Sequence, residues 1–233
     1  MPRRRLVLFD IDGTLIRDHG AAREAYARAL RAIYGRDRRL ERYDFSGRTD
    51  PEITHMVLAD LGIDAGEIER LMPLLWERYL VELQRLATAA TIEALPGVAA
   101  LLDRLADLPE VALGLLTGNI ERGARIKLEP PDLNRYFPFG AFGSDSMRRD
   151  ELAPIAVERA SAIEGRRFSG DDIVIIGDSI FDVRCGVPHS ATTIAVASGR
   201  TPADLLRAEN PHHFFESLEE IDALVAAIVG PEG

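Results

Sequence analysis

The size, charge and cysteine content of the chain restrict the classes of protein to which it can belong. With 233 residues, 46% of them hydrophobic, it can bury a sizeable core and still carry one inserted unit. Its net charge of -10 argues against a nucleic-acid partner, and no apolar run reaches the roughly 20 residues that span a bilayer, so no membrane partner is expected. The single cysteine, Cys185, excludes an intramolecular disulfide and favours a reducing, cytoplasmic location.

The first predicted element is a buried strand that ends in two carboxylates. Residues 6–9 are all apolar, as in a strand buried on both faces, and Asp10 and Asp12 follow at its carboxyl end. Side chains two residues apart on a strand point the same way, so these carboxylates repel each other unless a cation or a proton lies between them. A turn would explain one aspartate and Gly13, but not the pair.

Residues 17–95, which follow this strand, contain helical periodicity and no convincing further strand. The helical stretches are 21–34, 51–61 and 67–86. We predict an all-helical cap domain over residues 17–95, inserted into an α/β core of residues 1–16 and 96–233 that resumes at Pro96.

One loop of the predicted cap, residues 45–51, carries a candidate binding residue. Arg48 could bind a carboxylate or phosphate through two parallel hydrogen bonds, with Thr49 beside it. A turn before a helix, with Thr49 or Asp50 as N-cap, explains everything except Arg48. Two further residues are expected at the rim of the site: His19 and Arg23.

Two later strands also end in polar side chains. The apolar run 111–116 leads to Thr117, Gly118 and Asn119, which suit the binding of phosphate oxygens at the start of a helix. The run 172–176 leads to a second acidic pair: Asp178 and Asp182.

Further core elements are predicted as strands 139–142 and 191–196 and helices 120–129, 150–164 and 217–229. This alternation indicates a mainly parallel sheet with helices on both faces, whose strand ends form an acidic, phosphate-binding edge.

The order of these strand ends resembles that of the haloacid dehalogenase-like (HAD) hydrolases. The matching motifs are D-x-D-G-T at 10–14, apolar-apolar-T at 115–117 and G-D-x-x-x-D at 177–182. Residues 116–121 and 136–143 also resemble the phosphoglycolate-phosphatase-like branch, which has a helical (C1-type) cap. The resemblance implies a Rossmann-like α/β core, and a phosphatase for a small phosphorylated metabolite with phosphoglycolate as the leading candidate. A monomer or homodimer is expected.

The resemblance also implies a role for each matching residue. Asp10 would be the nucleophile that forms an aspartyl-phosphate, and Asp12 the general acid and base, with a pKa raised enough to hold a proton. Thr117 would bind the phosphoryl oxygens. Mg²⁺ would be held by Asp10, the backbone carbonyl of Asp12 and Asp178, with Asp182 either as a further ligand or as a residue that orients the ligands. Other implied substrate-binding residues are Gly13, Thr14, Gly118 and Asn119.

The basic residue that should balance these charges has two candidates. Many members of the family carry a Lys-Pro pair before the second acidic strand, where this chain has Arg148 and Arg149. Lys127 is the only lysine in an arginine-rich chain, and the two cations are not interchangeable at a tight site. However, the helix that carries it leaves the catalytic edge at ~1.5 Å per residue, which would place Lys127 roughly 10 Å away. Arg149 begins its helix at the correct edge, so both residues stay candidates.

Other functions compete with the phosphatase. A dehalogenase does not need Asp12, and a phosphonatase needs a cap lysine, which residues 17–95 lack. A β-phosphoglucomutase-like sugar-phosphate mutase shares the motifs and the cap and stays a rival. A non-catalytic phosphate-binding or regulatory protein would not need Asp12 or the cap.

Overall fold

The computed structural model describes residues 4–35 and 40–230, apart from the side chain of Glu41. Its strands are β1 (Arg5–Phe9), β2 (Ile16–Asp18), β3 (Ile92–Ala94), β4 (Val111–Leu116), β5 (Gly140–Ala141), β6 (Ile173–Gly177), β7 (Thr192–Val196) and β8 (His213–Phe215). Its α-helices are α1 (Ala21–Tyr34), α2 (Asp50–Ala59), α3 (Ala65–Leu86), α4 (Val98–Ala106), α5 (Glu121–Leu128), α6 (Leu152–Glu164), α7 (Ile180–Gly186), α8 (Ala203–Ala208) and α9 (Ile221–Val229).

Six strands form one parallel sheet in the order β5-β4-β1-β6-β7-β8. β1 lies in the middle, so its alternate side chains are buried on opposite faces. Val7 and Phe9 pack in the apolar cluster that includes α4, α5 and α9, and Leu6 and Leu8 pack in the cluster that includes α6. The predicted Rossmann-like α/β core with helices on both faces is therefore confirmed.

The helices α1, α2 and α3 share a separate apolar cluster, as the periodicity of residues 17–95 predicts. At its centre the rings of Tyr26 and Tyr79 meet edge to face at 6.1 Å. The expectation of no strand in this region is wrong, because β2 and β3 pair antiparallel with Ile16 opposite Ala94. The chain thus leaves the core and returns to it through a two-stranded ribbon.

Other elements differ from the prediction mainly at their ends. The predicted last helix, 217–229, begins only at Ile221, and helix 150–164 begins as the 3-10 turn Arg149–Glu151. The short elements α4, α7, α8 and β8 were not predicted. No helix in the described ranges is long and apolar enough to cross a membrane.

Candidate active site

Three neighbouring strands bring their carboxyl ends to one cavity. β1, β4 and β6 lie side by side, so Asp10, Thr117 and Asp178 meet at the same edge of the sheet. The cap covers this edge, and the cavity between them measures about 670 Å³. The sequence-predicted residues that line it are Asp10, Asp12, Gly13, His19, Arg23, Arg48, Thr117, Gly118, Asn119, Lys127, Arg149 and Asp178.

A cluster of three buried carboxylates forms the centre of the site. Asp10, Asp178 and Asp182 each offer an oxygen within 4.8 Å of the others. Burial raises the pKa of Asp10 to about 6 despite the opposing charge of Arg149. Burial and the charge of Asp10 hold the pKa of Asp178 well above its usual range. Crowded carboxylates with an all-oxygen donor set suit a hard divalent cation, so these residues fit a metal site.

The position of Asp178 depends on two glycines. A Cβ atom on Gly199 would lie 1.6 Å from Asp178 Oδ2, and one on Gly13 would lie 2.6 Å from it. Gly13 also has a positive φ of 86°, which favours glycine. Thr14 is fully buried, and its hydroxyl donates to Asp178 Oδ1 at 3.4 Å. The Thr14 hydroxyl is therefore engaged with Asp178, and contact of Thr14 with substrate stays a prediction.

Asp182 combines a structural contact with a place in the cluster. Its Oδ2 accepts hydrogen bonds from the backbone N–H of Ser179 at 3.0 Å and from the Ser179 hydroxyl at 2.6 Å. The Ser179 hydroxyl accepts in turn from the backbone N–H of Asp182, so the pair forms a capping box at the start of α7. Its Oδ1 pairs with Arg149.

Arg149 is the cation that lies among the three buried carboxylates. It is buried, and the same terminal nitrogen contacts Asp182 Oδ1 and lies 3.2 Å from Asp10 Oδ1. Its Nε has no hydrogen-bond partner within the described ranges. The single positive charge of the guanidinium thus lies next to two of the three clustered carboxylates.

Lys127 is the cation of the second aspartate. Its Nζ lies 2.9 Å and 2.8 Å from the two carboxylate oxygens of Asp12 and 2.7 Å from Asn119 Oδ1. The argument that α5 carries this residue out of reach is wrong, because the long side chain closes the distance. Although burial opposes it, the Lys127 ammonium holds the pKa of Asp12 below its usual value, opposite to the expected shift. In this state Asp12 is therefore ionised and paired.

The end of β4 brings Thr117, Gly118 and Asn119, the predicted phosphate-binding residues, to the cavity. The Asn119 amide donates to Asp12 Oδ2 at 2.7 Å and to the Thr117 hydroxyl at 2.9 Å. Gly118 meets the cap directly, since a Cβ atom there would lie 2.0 Å from the carbonyl oxygen of Arg48. The Gly118 carbonyl accepts from the backbone N–H of Asp50 at 2.7 Å. The cap loop is thus seated on this strand end.

Most of the predicted cap residues are engaged with protein groups. Arg48 forms an ion pair with Glu52, and the Arg23 guanidinium lies 4.4 Å from the ring centroid of Phe45. The His19 ring lies 3.0 Å from Glu93. Thr49 caps α2 and donates to the carbonyl of Met147 at 2.7 Å. Thr49 is fully buried and acts as the N-cap of α2, as the alternative predicts, and its contact with substrate stays a prediction.

Several cavity residues are not among the site residues expected from the sequence, although Phe45 and Asp50 lie in the loop 45–51. They are Asp50, Tyr26, Phe45, Trp76, Tyr79 and Arg200. The tyrosines and the tryptophan occupy positions on α1 and α3 that the periodicity assigns to the apolar face of a helix. No local signal distinguishes a side chain in the cap core from one at the cavity wall.

A parallel sheet with an acidic cluster at its strand ends, under a helical cap, defines a capped α/β enzyme. A family model described as haloacid dehalogenase-like hydrolase matches residues 4–187. The chain therefore belongs to the haloacid dehalogenase-like hydrolases. A comparison with curated proteins finds no match.

Solved structures share the fold over nearly the whole chain. A hydrolase from Pseudomonas syringae has a TM-score of 0.72 and 22% identity, covering 98% of this chain and 100% of that one. A candidate phosphoglycolate phosphatase from Lactobacillus plantarum has a TM-score of 0.69 and 21% identity, covering 96% and 100%. A candidate β-phosphoglucomutase from Thermotoga maritima has a TM-score of 0.64 and 22% identity, covering 95% and 98%. Identities this low establish the fold and not the substrate.

Proposed function

We propose that the chain is a Mg²⁺-dependent phosphomonoesterase that works through an aspartyl-phosphate on Asp10. The observation that supports this most directly is the position of Asp10, which shares one cavity with Asp12, Thr117 and two buried cations. A carboxylate nucleophile needs nearby positive charge to approach a phosphate dianion, and Arg149 and Lys127 supply it.

In the first step, a carboxylate oxygen of Asp10 attacks phosphorus and the bond to the leaving oxygen breaks. Asp12 gives that oxygen a proton, so an alcohol leaves. In the second step, water attacks the phosphorus of the aspartyl-phosphate, Asp12 takes the proton of the water, and phosphate leaves with Asp10 regenerated. Asp10, Asp178 and Asp182 would hold Mg²⁺, together with the backbone carbonyl of Asp12, and bound Mg²⁺ supplies charge neutralisation for the phosphoryl group.

Lys127 and Asn119 connect phosphate binding with the state of Asp12. Both donate to the Asp12 carboxylate, Asn119 also donates to the Thr117 hydroxyl, and Lys127 donates to Asn119. Bound phosphoryl oxygens offer the ammonium a second anionic partner, which weakens its hold on Asp12 and favours the proton-carrying form that the first step needs.

The substrate in this proposal is a small phosphorylated metabolite, and phosphoglycolate is one candidate. The test is phosphate release from a panel of phosphomonoesters with Mg²⁺ or with excess chelator, in the native chain and in Asp10→Asn and Asp12→Asn. Metal-dependent release that both substitutions abolish is the expected result. An isomerised sugar phosphate without net release would replace the hydrolase with a mutase, and no reaction with any ester would refute the proposal.

A further inference from the structure

The cap places a buried tyrosine hydroxyl at the wall of the cavity. Tyr79 lies on α3, is 5% exposed and lines the cavity. Its hydroxyl forms no hydrogen bond with the described part of the chain, and burial raises its pKa, so it is protonated at neutral pH. A buried polar group without a protein partner at a cavity wall is suited to hydrogen-bond a ligand.

A carboxylate that the catalytic steps do not use lies on the same side of the cavity. Asp50 lines the cavity, and its Oδ2 accepts from the backbone N–H of Ile120 at 2.8 Å. Oδ1 has no hydrogen bond to the residues that the structure describes. Asp50 accepts from Ile120, and the preceding residue, Asn119, donates to Asp12, so the two carboxylates lie near each other at the end of β4. The Tyr79 ring packs on α5 one turn before Lys127, since a Cβ atom on Gly123 would lie 3.6 Å from Tyr79 Cε1. Tyr79 and Asp50 therefore line the same cavity as Asp12 and Lys127, close to the group that would protonate the leaving oxygen.

Aromatic rings surround this pair. Trp76 precedes Tyr79 by one helical turn on α3, and Phe45 and Tyr26 line the same cavity. Such rings pack well against the C–H faces of a cyclic or extended polyol. The cavity of about 670 Å³ falls within the range of sites that enclose a whole ring compound, and it is larger than a two-carbon ester requires.

The charges at this wall do not favour an anionic leaving group. The two arginines that could clamp a carboxylate are engaged: Arg48 pairs with Glu52, and Arg23 donates to the carbonyl of Leu40. The other arginines of the lining, Arg17 and Arg200, are exposed to solvent. The carboxylate of Asp50 would repel a carboxylate on the substrate and would accept hydrogen bonds from hydroxyl groups.

We propose that Tyr79 and Asp50 form a leaving-group subsite for an uncharged, hydroxyl-bearing group, so that the preferred ester is a polyol or sugar monophosphate rather than a phosphorylated carboxylic acid. This inference rests on the proposed function. It makes Tyr79 and Asp50 specificity-determining residues that contact the part of the substrate released as alcohol.

The test compares kcat/KM for glycerol phosphate, a pentose phosphate, a hexose phosphate, phosphoglycolate and p-nitrophenyl phosphate. For the native chain we expect the best polyol or sugar ester to exceed phosphoglycolate by at least about tenfold. In Tyr79→Phe, the ratio of kcat/KM for that ester to kcat/KM for p-nitrophenyl phosphate should fall by about tenfold, because only the first ester offers hydroxyl groups. Asp50→Asn, which keeps an acceptor for Ile120, should raise the relative kcat/KM for phosphoglycolate.

Tyr34→Phe is the matched control, since it also removes a cap tyrosine hydroxyl that has no hydrogen-bond partner among the described residues, but one that does not line the cavity. It should leave every ratio unchanged. A native preference for phosphoglycolate, or an equal loss for all esters in Tyr79→Phe, would overturn the subsite while leaving the phosphatase intact. Absence of phosphate release from all five esters by the native chain would instead refute the phosphatase, and the subsite with it.

Discussion

The ammonium group of Lys127 hydrogen-bonds both carboxylate oxygens of Asp12, at 2.9 Å to Oδ1 and 2.8 Å to Oδ2. Its third donor is directed at Asn119, so a buried ammonium has all its protons satisfied. Arg149 makes the corresponding contacts to Asp10 and Asp182. The site therefore divides its positive charge between two residues, where the sequence suggested a choice between them.

Replacing Lys127 should lower kcat/KM strongly while the chain stays folded. In Lys127→Met the side chain still fills the space, but Asp12 loses its ion pair and bound phosphate loses a cation. We expect kcat/KM to fall by at least about 100-fold, the range found when one charge-stabilising group is removed. Lys127→Arg should not restore it, because a planar guanidinium cannot repeat these three contacts in a buried site. Steady-state kinetics with circular dichroism as a check of folding measures both.

The control lies on the same helix. Arg122 is 67% exposed, and its ion pair with Glu77 joins two exposed side chains. Solvent-exposed ion pairs contribute little to the stability of a protein. Arg122→Met should keep kcat/KM within about twofold of the native value, and a loss equal to that of Lys127→Met would mean that α5 as a whole, and not the Asp12 contact, is what matters.

The adjacent arginines 148 and 149 offer a second matched pair. Arg149 is 7% exposed and pairs with Asp10 and Asp182, whereas the side chain of Arg148 is 66% exposed and pairs with Asp150. Arg149→Met leaves two buried carboxylates without a cation, which should lower the free energy of unfolding by about 3–5 kcal/mol. Arg148→Met should change it by less than about 0.5 kcal/mol. Urea unfolding in the presence of a chelator makes the comparison, and equal effects would contradict it.

The fold was predictable wherever one local pattern carried the information. Residues 6–9 of β1 and 173–176 of β6 are uninterrupted apolar runs, and the aspartate that the motif requires follows directly after each strand. The carboxyl ends of parallel strands share one edge of a sheet, which is why the amino-acid pattern alone places Asp10 and Asp178 together. The ribbon of β2 and β3 was not predictable, because three-residue strands have no measurable period and their pairing joins Ile16 to Ala94.

The direction of individual side chains at the site could not be predicted from the sequence. Thr14 and Thr49 have the right chemistry and the right place in the chain, but both hydroxyls point into protein. The distance argument against Lys127 considered the helix axis and neglected the reach of the side chain. Tyr79 occupies an apolar-face position of α3, and only the packed cap shows that its hydroxyl lies at a cavity wall.

Cys185 should be an unreactive thiol in the folded protein. It is 2% exposed, burial raises its pKa to about 11, and its thiol lies 3.5 Å from the carbonyl oxygen of Arg149. A raised pKa lowers the thiolate fraction at a given pH, to about one in a thousand at pH 8. We expect labelling by a disulfide reagent at pH 8 to be at least about 200-fold slower than for free cysteine, with rates that rise as pH approaches 11. Rapid stoichiometric labelling of folded protein would contradict the buried position.

Asp178 should link metal binding to stability without any assay of activity. Its raised pKa means that the folded chain favours the protonated form, so the ionised carboxylate lowers stability at neutral pH until a cation neutralises it. Mg²⁺ at about 100 times its Kd should add about 2.7 kcal/mol to the free energy of unfolding. For a chain of this size that corresponds to a rise in Tm of roughly 5–10 °C.

Asp178→Asn removes the charge and keeps the shape of the side chain. Without metal its Tm should exceed that of the native chain, because the repulsion with Asp10 and Asp182 is relieved, and Mg²⁺ should then raise it little. Asp222→Asn, an exposed change at the start of α9, should keep the full native response to Mg²⁺. Scanning calorimetry with and without Mg²⁺ decides between the outcomes. A native Tm that does not respond to Mg²⁺ would mean that the folded chain does not bind this ion. An undiminished response in Asp178→Asn would place the metal elsewhere than among these three carboxylates.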